Sequence, residues 1–221
     1  MGKENKGKRN ELLVLEGYLK DKKTEREICE IDFPLWARTY KIMDRYRMIN
    51  PPTRDQAPEV EVHVGAPGTG KTRSVYDAYP QREIFNVPRA QGTAWFDGYC
   101  PWESRVCLFD DFYGWVPYDL LLRVTDRYPV STQKKGGFTP FVCPKIVLTS
   151  NKAPTEWYKD LLEKGKVDFG AFLRRVTRWV AYHPGGVVYD GPDYEAFSAA
   201  LAMVPIGRVR SDSVATEILD E

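Results

Sequence analysis

The residues best suited to chemistry form one run: Gly65-Ala66-Pro67-Gly68-Thr69-Gly70-Lys71-Thr72 fits G-x-x-x-x-G-K-[ST] at every fixed position. Glycines at 65, 68 and 70, with Pro67 and Thr69 between them, let backbone N–H groups turn toward an anion. The positive end of the helix that follows adds its partial charge. In this pattern Lys71 reaches the β- and γ-phosphates of a nucleoside triphosphate and the Thr72 hydroxyl ligates Mg²⁺, so ATP and Mg²⁺ are the expected ligands. The alternating valines before the loop and Pro80 after it place the motif between a strand and a short helix. Taken alone, the loop fits kinases, GTPases, motors and helicases equally.

Further polar residues follow apolar runs. Val106-Cys107-Leu108-Phe109 ends in Asp110-Asp111. In a phosphate-loop protein Asp110 orders the Mg²⁺ shell and Asp111 polarises the attacking water. A small-molecule kinase would use one carboxylate as base toward its acceptor, so the pair leaves hydrolysis and phosphoryl transfer both open. Ile146-Val147-Leu148-Thr149-Ser150-Asn151 repeats the form, and Asn151 is the candidate sensor of the γ-phosphate or the lytic water. Arg174, Arg175 and Arg178 lie in a stretch without acids; Arg174, slightly ahead of Arg175, is the candidate arginine finger. Between the pair and the sensor, Lys134-Lys135-Gly136-Gly137 reads as a basic hairpin tip able to track the phosphates of single-stranded DNA without reading bases.

These residues need elements to hold them. Residues 1–9 are charged and expected to fray. Over 10–50 the spacing predicts three short helices. The first carries Leu12, Leu15 and Leu19, the second starts at the Thr24/Glu27 capping-box spacing, and the third runs from Phe33-Pro34 to Asn50-Pro51-Pro52. This unit is too small for a large core and must pack on its neighbour or on other copies of itself. Residues 51–58 read as a Pro-rich linker and 59–202 as the phosphate-loop domain. Val60, Val62 and Val64 alternate with Glu59, Glu61 and His63, which predicts a strand with one less-buried face. Pro117 to Tyr128 reads as one helix. Residues 203–221 read as a flexible acidic tail.

The chain has 221 residues, 43% hydrophobic and 29% charged, with 32 Lys and Arg against 31 Asp and Glu, so its formal charge is +1. A uniformly basic nucleic-acid binder is excluded, a local basic site is not. The near-neutral sum hides cancellation, because 123–145 holds five bases and one acid while 187–221 holds seven acids and two bases. No run approaches the roughly 20 apolar residues of a membrane span, so no membrane partner is expected. Scattered Cys29, Cys100, Cys107 and Cys143 make no zinc pattern and suit a reducing, intracellular setting.

Several of these residues together resemble one family. Asp110-Asp111-Phe112-Tyr113-Gly114-Trp115-Val116-Pro117, then Leu121-Leu122-Arg123, Asp126-Arg127-Tyr128-Pro129, Lys135-Gly136-Gly137 and Thr149-Ser150-Asn151 are similar to the ATPase part of replication-initiator (Rep) proteins of circoviruses and related circular single-stranded DNA viruses. Trp95-Phe96-Asp97-Gly98-Tyr99 and Glu156-Trp157-Tyr158 fit the same likeness, which covers about residues 59–180. The resemblance implies an α/β, AAA+-like superfamily 3 helicase domain with a central parallel sheet. It implies a homo-hexameric ring that hydrolyses ATP to move 3′ to 5′ along single-stranded DNA in rolling-circle replication. It makes Lys135, with Lys134 beside it, the hairpin lysine, makes residues 10–50 the oligomerisation unit, and places the protein in the host nucleus.

The nicking half of such proteins is not among these residues. The only histidines are His63 and His183, and no tyrosine has a lysine three positions later. The expectation is an ATPase part whose nicking domain lies upstream in a longer protein. Two other readings stay open: a small-molecule kinase, and a nucleotide-gated assembly scaffold with negligible turnover.

Overall fold

The computed structural model describes residues 4–89 and 94–203, so the acidic tail expected from 203 on lies, beyond Met203, outside the described residues. Three helices open the chain: α1 (Glu4–Lys20), α2 (Glu25–Ile31) and α3 (Phe33–Ile49). The first begins at Glu4, inside the stretch expected to fray; Glu, Lys and Arg are good helix formers and extend it. At the start of α2 the Thr24 hydroxyl accepts the Glu27 N–H while the Glu27 carboxylate accepts the Thr24 N–H. Asp32 caps α3 by accepting the Leu35 N–H, with Pro34 in the first turn where no N–H is needed. Leu15, Leu19, Ile28, Leu35 and Met43 form the core of this unit. Five buried side chains make a thin core, as a unit this small dictates.

After the linker come β1 (Glu59–Gly65), α4 (Lys71–Ala78), β2 (Ile84–Asn86), β3 (Val106–Phe109), α5 (Tyr118–Val124), β4 (Val130–Lys134), β5 (Gly137–Phe141), β6 (Lys145–Ser150), α6 (Lys159–Glu163), α7 (Phe169–Leu173), β7 (Arg178–His183), β8 (Gly186–Gly191) and α8 (Tyr194–Ala202). Six strands form one sheet in the order β2-β3-β6-β1-β7-β8. Every pairing in it is parallel except β7 with β8. The fold is therefore α/β around a mostly parallel sheet. The strand that feeds the Gly-rich loop lies between β6 and β7, a topological switch point where α/β sheets place ligands.

The two faces of the sheet differ. One carries Val60, Val62, Val64, Phe109, Ile146, Leu148 and Trp179 into a large aromatic core. The other lies under α4, where Val75 packs on Val106, Leu108 and Val147. The expectation of a less-buried face on β1 fails at two of three positions, for only Glu59 is exposed while Glu61 and His63 are buried. Alternation of charge with valine reads as exposure, but here the charged positions face other buried polar groups. Helix α5 is also shorter than expected. It stops at Val124, and the Thr125 hydroxyl at its end donates to the Leu121 and Leu122 carbonyls.

β4 and β5 pair antiparallel as a separate hairpin whose register runs from Val130↔Phe141 to Lys134↔Gly137. Its base is tied to the linker by Arg54. That guanidinium is 7% exposed, lies 5.0 Å from the Phe141 ring centroid, and donates to the Val124 and Asp126 carbonyls at 2.8 and 2.7 Å.

Candidate functional site

The candidate residues gather at the C-terminal ends of β1, β3 and β6. β1 delivers Gly65, where a Cβ would run into the carbonyl of Tyr182 on β7, so only glycine lets the loop leave the sheet here. Gly70 closes the loop at φ +91°, a left-handed conformation that glycine adopts without cost, and sets the first turn of α4. Lys71 is buried and its ammonium donates to the Gly65 and Ala66 carbonyls at 2.9 and 2.8 Å. Burial pulls its pKa down, and Asp111 and Asp110 partly offset this.

Asp110 is held from two sides. The Thr72 and Thr149 hydroxyls each donate to its Oδ1 at 2.6 Å. Thr149 also accepts the Asp111 N–H at 3.0 Å, and its carbonyl accepts the Phe112 N–H at 2.7 Å. The chain turns sharply at this point. Asp111 sits at φ +46°, a region few non-glycine residues occupy, although Asp tolerates it better than most. That turn sends two adjacent carboxylates to one site.

Asn151 donates through Nδ2 to Asp111 Oδ1 at 3.3 Å and to the Tyr113 hydroxyl at 2.7 Å. Because a carboxylate only accepts, the amide orientation is fixed. Asn151 Oδ1 is left buried with no hydrogen-bond partner among the described residues. A cleft lined by Asn86, Val87, Pro88, Arg89, Asp110 and Asp111 opens beside the carboxylates. Arg89 and Lys152 lie over the Tyr113 ring, at 5.7 and 5.5 Å from its centroid.

The donor set fits Mg²⁺ with phosphates. A hydroxyl and a carboxylate stand within a hydrogen bond of each other beside a buried ammonium, and Mg²⁺ in such sites takes one or two protein oxygens with water and phosphate for the rest. No cluster of three or more His, Cys, Asp or Glu residues able to hold a metal without phosphates occurs among the described residues.

The arginines part ways. Arg175 is pinned, pairing with the Asp126 carboxylate and donating to the Ala171 carbonyl. Arg178 is held by Glu61 at 3.1 Å and by Asp190 at 2.7 Å. Arg174 is exposed at the end of α7. Lys134 ends β4 and Lys135 forms the hairpin turn, both exposed; the Lys135 N–H donates to Asp97 Oδ1 at 2.8 Å, which braces the tip.

Two participants, Thr149 and Tyr113, belong to the runs that carry the family resemblance, but no feature of the sequence pointed to a role for either.

No protein-family model matches the chain. Comparison with curated proteins finds the "Replication-associated protein" of Goose circovirus, 41% identical over 133 residues, which are 60% of this chain and 42% of that protein. The protein of the same name from Porcine circovirus 2 is 45% identical over 128 residues, 58% of this chain and 38% of the relative. That of Beak and feather disease virus is 38% identical over 143 residues, 65% and 45% respectively. The matched region thus spans less than half the length of these relatives.

Proposed function

This chain is a relative of the circovirus replication-associated proteins, and from that premise we propose that it is the ATP-driven DNA helicase motor of a rolling-circle replication initiator, with a superfamily 3 fold. The observation that carries the reading is the meeting of Lys71, Thr72, Asp110, Asp111 and Asn151 at the ends of three parallel strands.

In this reading Gly65 to Thr72 wrap the phosphates with backbone N–H groups, and Lys71 exchanges its two carbonyl partners for phosphate oxygens. Thr72 and Asp110 are the residues that would hold Mg²⁺, which would supply neutralisation of phosphate charge when bound. Asp111 accepts a proton from the attacking water, and Asn151 Oδ1 accepts a hydrogen bond from the same water, which satisfies the orphan acceptor. Arg175 is spent on Asp126, so the finger is Arg174, reaching a neighbouring copy in a homo-hexameric ring. Lys134 and Lys135 track the phosphates of single-stranded DNA, the helical unit holds the copies together, and the work is done in the host nucleus.

Steady-state ATPase rate with and without single-stranded DNA is the test. Turnover stimulated by DNA is the expected outcome. Phosphate transferred to a small acceptor, or negligible turnover in an assembled protein, sinks the motor reading.

A further inference from the structure

The sheet face under α4 holds a buried polar cluster that the phosphate chemistry does not use. His63 Nε2 lies 3.2 Å from Glu61 Oε2, the Tyr182 hydroxyl lies 3.2 Å from His63 Nδ1, and Ser74 Oγ lies 2.9 Å from the Tyr182 hydroxyl. Ser74 reaches the Lys71 carbonyl at 2.7 Å, in the first turn of α4. Tyr182 meets the loop a second time, since its backbone is what a Cβ on Gly65 would strike. One residue therefore touches both the start of the Gly-rich loop and, through Ser74, the helix that ends it.

Counting hydrogens gives the chain a direction. A carboxylate only accepts, so His63 Nε2 carries a hydrogen toward Glu61. With Nδ1 bare, Tyr182 must donate to it. The single Ser74 hydrogen then has to serve both Tyr182 and the Lys71 carbonyl, and one contact goes without. With a hydrogen on Nδ1 as well, every contact has its donor: His63 to Tyr182, Tyr182 to Ser74, Ser74 to the Lys71 carbonyl.

Glu61, the acceptor at one end of the chain, is also reached by Lys145 at 2.9 Å and by Arg178 at 3.1 Å, and Arg178 pairs with Asp190 at 2.7 Å.

We infer that a charged His63, acting through Tyr182 and Ser74, is a positioning device that fixes the first turn of α4, and with it Lys71 and Thr72, for a nucleoside triphosphate. The inference rests on the nucleotide-site reading above. Removing a link forfeits about one hydrogen bond's worth of order, so nucleotide binding weakens roughly two- to tenfold.

Nitrogen NMR of the His63 imidazole in the nucleotide-free full chain at about pH 7 tests the chain itself. Hydrogens on both ring nitrogens are expected, and in Tyr182→Phe, which keeps the ring and loses the hydroxyl, the Nδ1 signal is expected to move. A neutral ring with bare Nδ1 overturns the inference, whatever the nucleotide site does. The second arm titrates a fluorescent ATP analogue into wild type, Tyr182→Phe and His63→Gln at about pH 7, and both variants are expected to bind roughly two- to tenfold more weakly. Wild-type affinity in Tyr182→Phe overturns the positioning role. Lys71→Ala is the control: if it binds the analogue as tightly as wild type, the nucleotide-site reading has failed and the positioning role with it, while the NMR result still decides the chain.

Discussion

Asp110 takes two hydroxyl hydrogens on a single oxygen, and only one of the donors, Thr72, belongs to the phosphate-loop motif. Thr149→Val keeps the shape and removes the second donor. Turnover of ATP is expected to fall roughly tenfold, the order of one hydrogen bond to a charged group, with the melting temperature little changed. A wild-type rate in a steady-state ATPase assay would show that Thr149 is a bystander. Lys71→Ala is expected to abolish turnover in the same assay, because no other buried ammonium stands at the loop among the described residues. At this scale the loop, the carboxylate pair and Asn151 were legible in the sequence, since each is a local pattern whose chemistry does not depend on distant neighbours. The roles of Thr149, Tyr113 and the His63 chain were not. A threonine inside an apolar run reads as strand filler until the register sets its hydroxyl against Asp110, and His63 in an alternating strand reads as half-exposed.

Among the elements, the hairpin and the sheet make separable predictions. Lys134→Ala with Lys135→Ala is expected to leave basal turnover intact and lower its stimulation by single-stranded DNA. The slope of log affinity against log salt is expected to drop by roughly 0.7 per lost phosphate contact. Normal unwinding by the double variant would remove the hairpin from DNA binding. In the sheet, burial raises the Glu61 carboxyl, but hydrogen bonds from His63, Lys145 and Arg178 outweigh it and hold the group at about 2. A depressed carboxyl contributes stability that is full above its unfolded value of 4.5 and drains away as pH falls from there toward about 2. Denaturant midpoints measured across that window are expected to fall steeply in the wild type and less in Glu61→Gln, which is less stable at neutral pH. The hairpin was readable because Lys-Lys-Gly-Gly between β-prone flanks has few other uses. The end of α5 was not, because apolar spacing continues through Tyr128 although the helix stops at Val124.

For the whole molecule, the helical unit exposes a good deal of apolar surface for its size. Phe33, Met48 and Ile49 are 60%, 69% and 63% exposed, alongside Leu13 at 58%. A thin core under so much uncovered apolar surface fits a unit that meets other copies. Replacing Phe33, Met48 and Ile49 together by Ser or Gln is expected to shift the protein to monomer in sedimentation and to remove DNA-stimulated turnover, since Arg174 would have no neighbour to reach. Ring assembly undisturbed by the triple variant would place the contacts elsewhere. The α/β class with a parallel sheet could be read from the order of strand, loop and helix. The antiparallel β8 edge and α8 could not, since Val187 and Val188 on an exposed strand resemble any loop.

Arg54 changes what the linker can be. Three prolines and a polar run suggest a free tether, yet the guanidinium is sunk between the base of the hairpin and the end of α5, two residues beyond Pro52. The free part of the linker then shrinks to 51–53, and Arg54 ties the chain after it to the hairpin that carries Lys134 and Lys135. The proposed motor would then have little slack for a stroke inside one subunit: a moving hairpin would carry its own framework with it, and the slippage would fall at the seams between subunits.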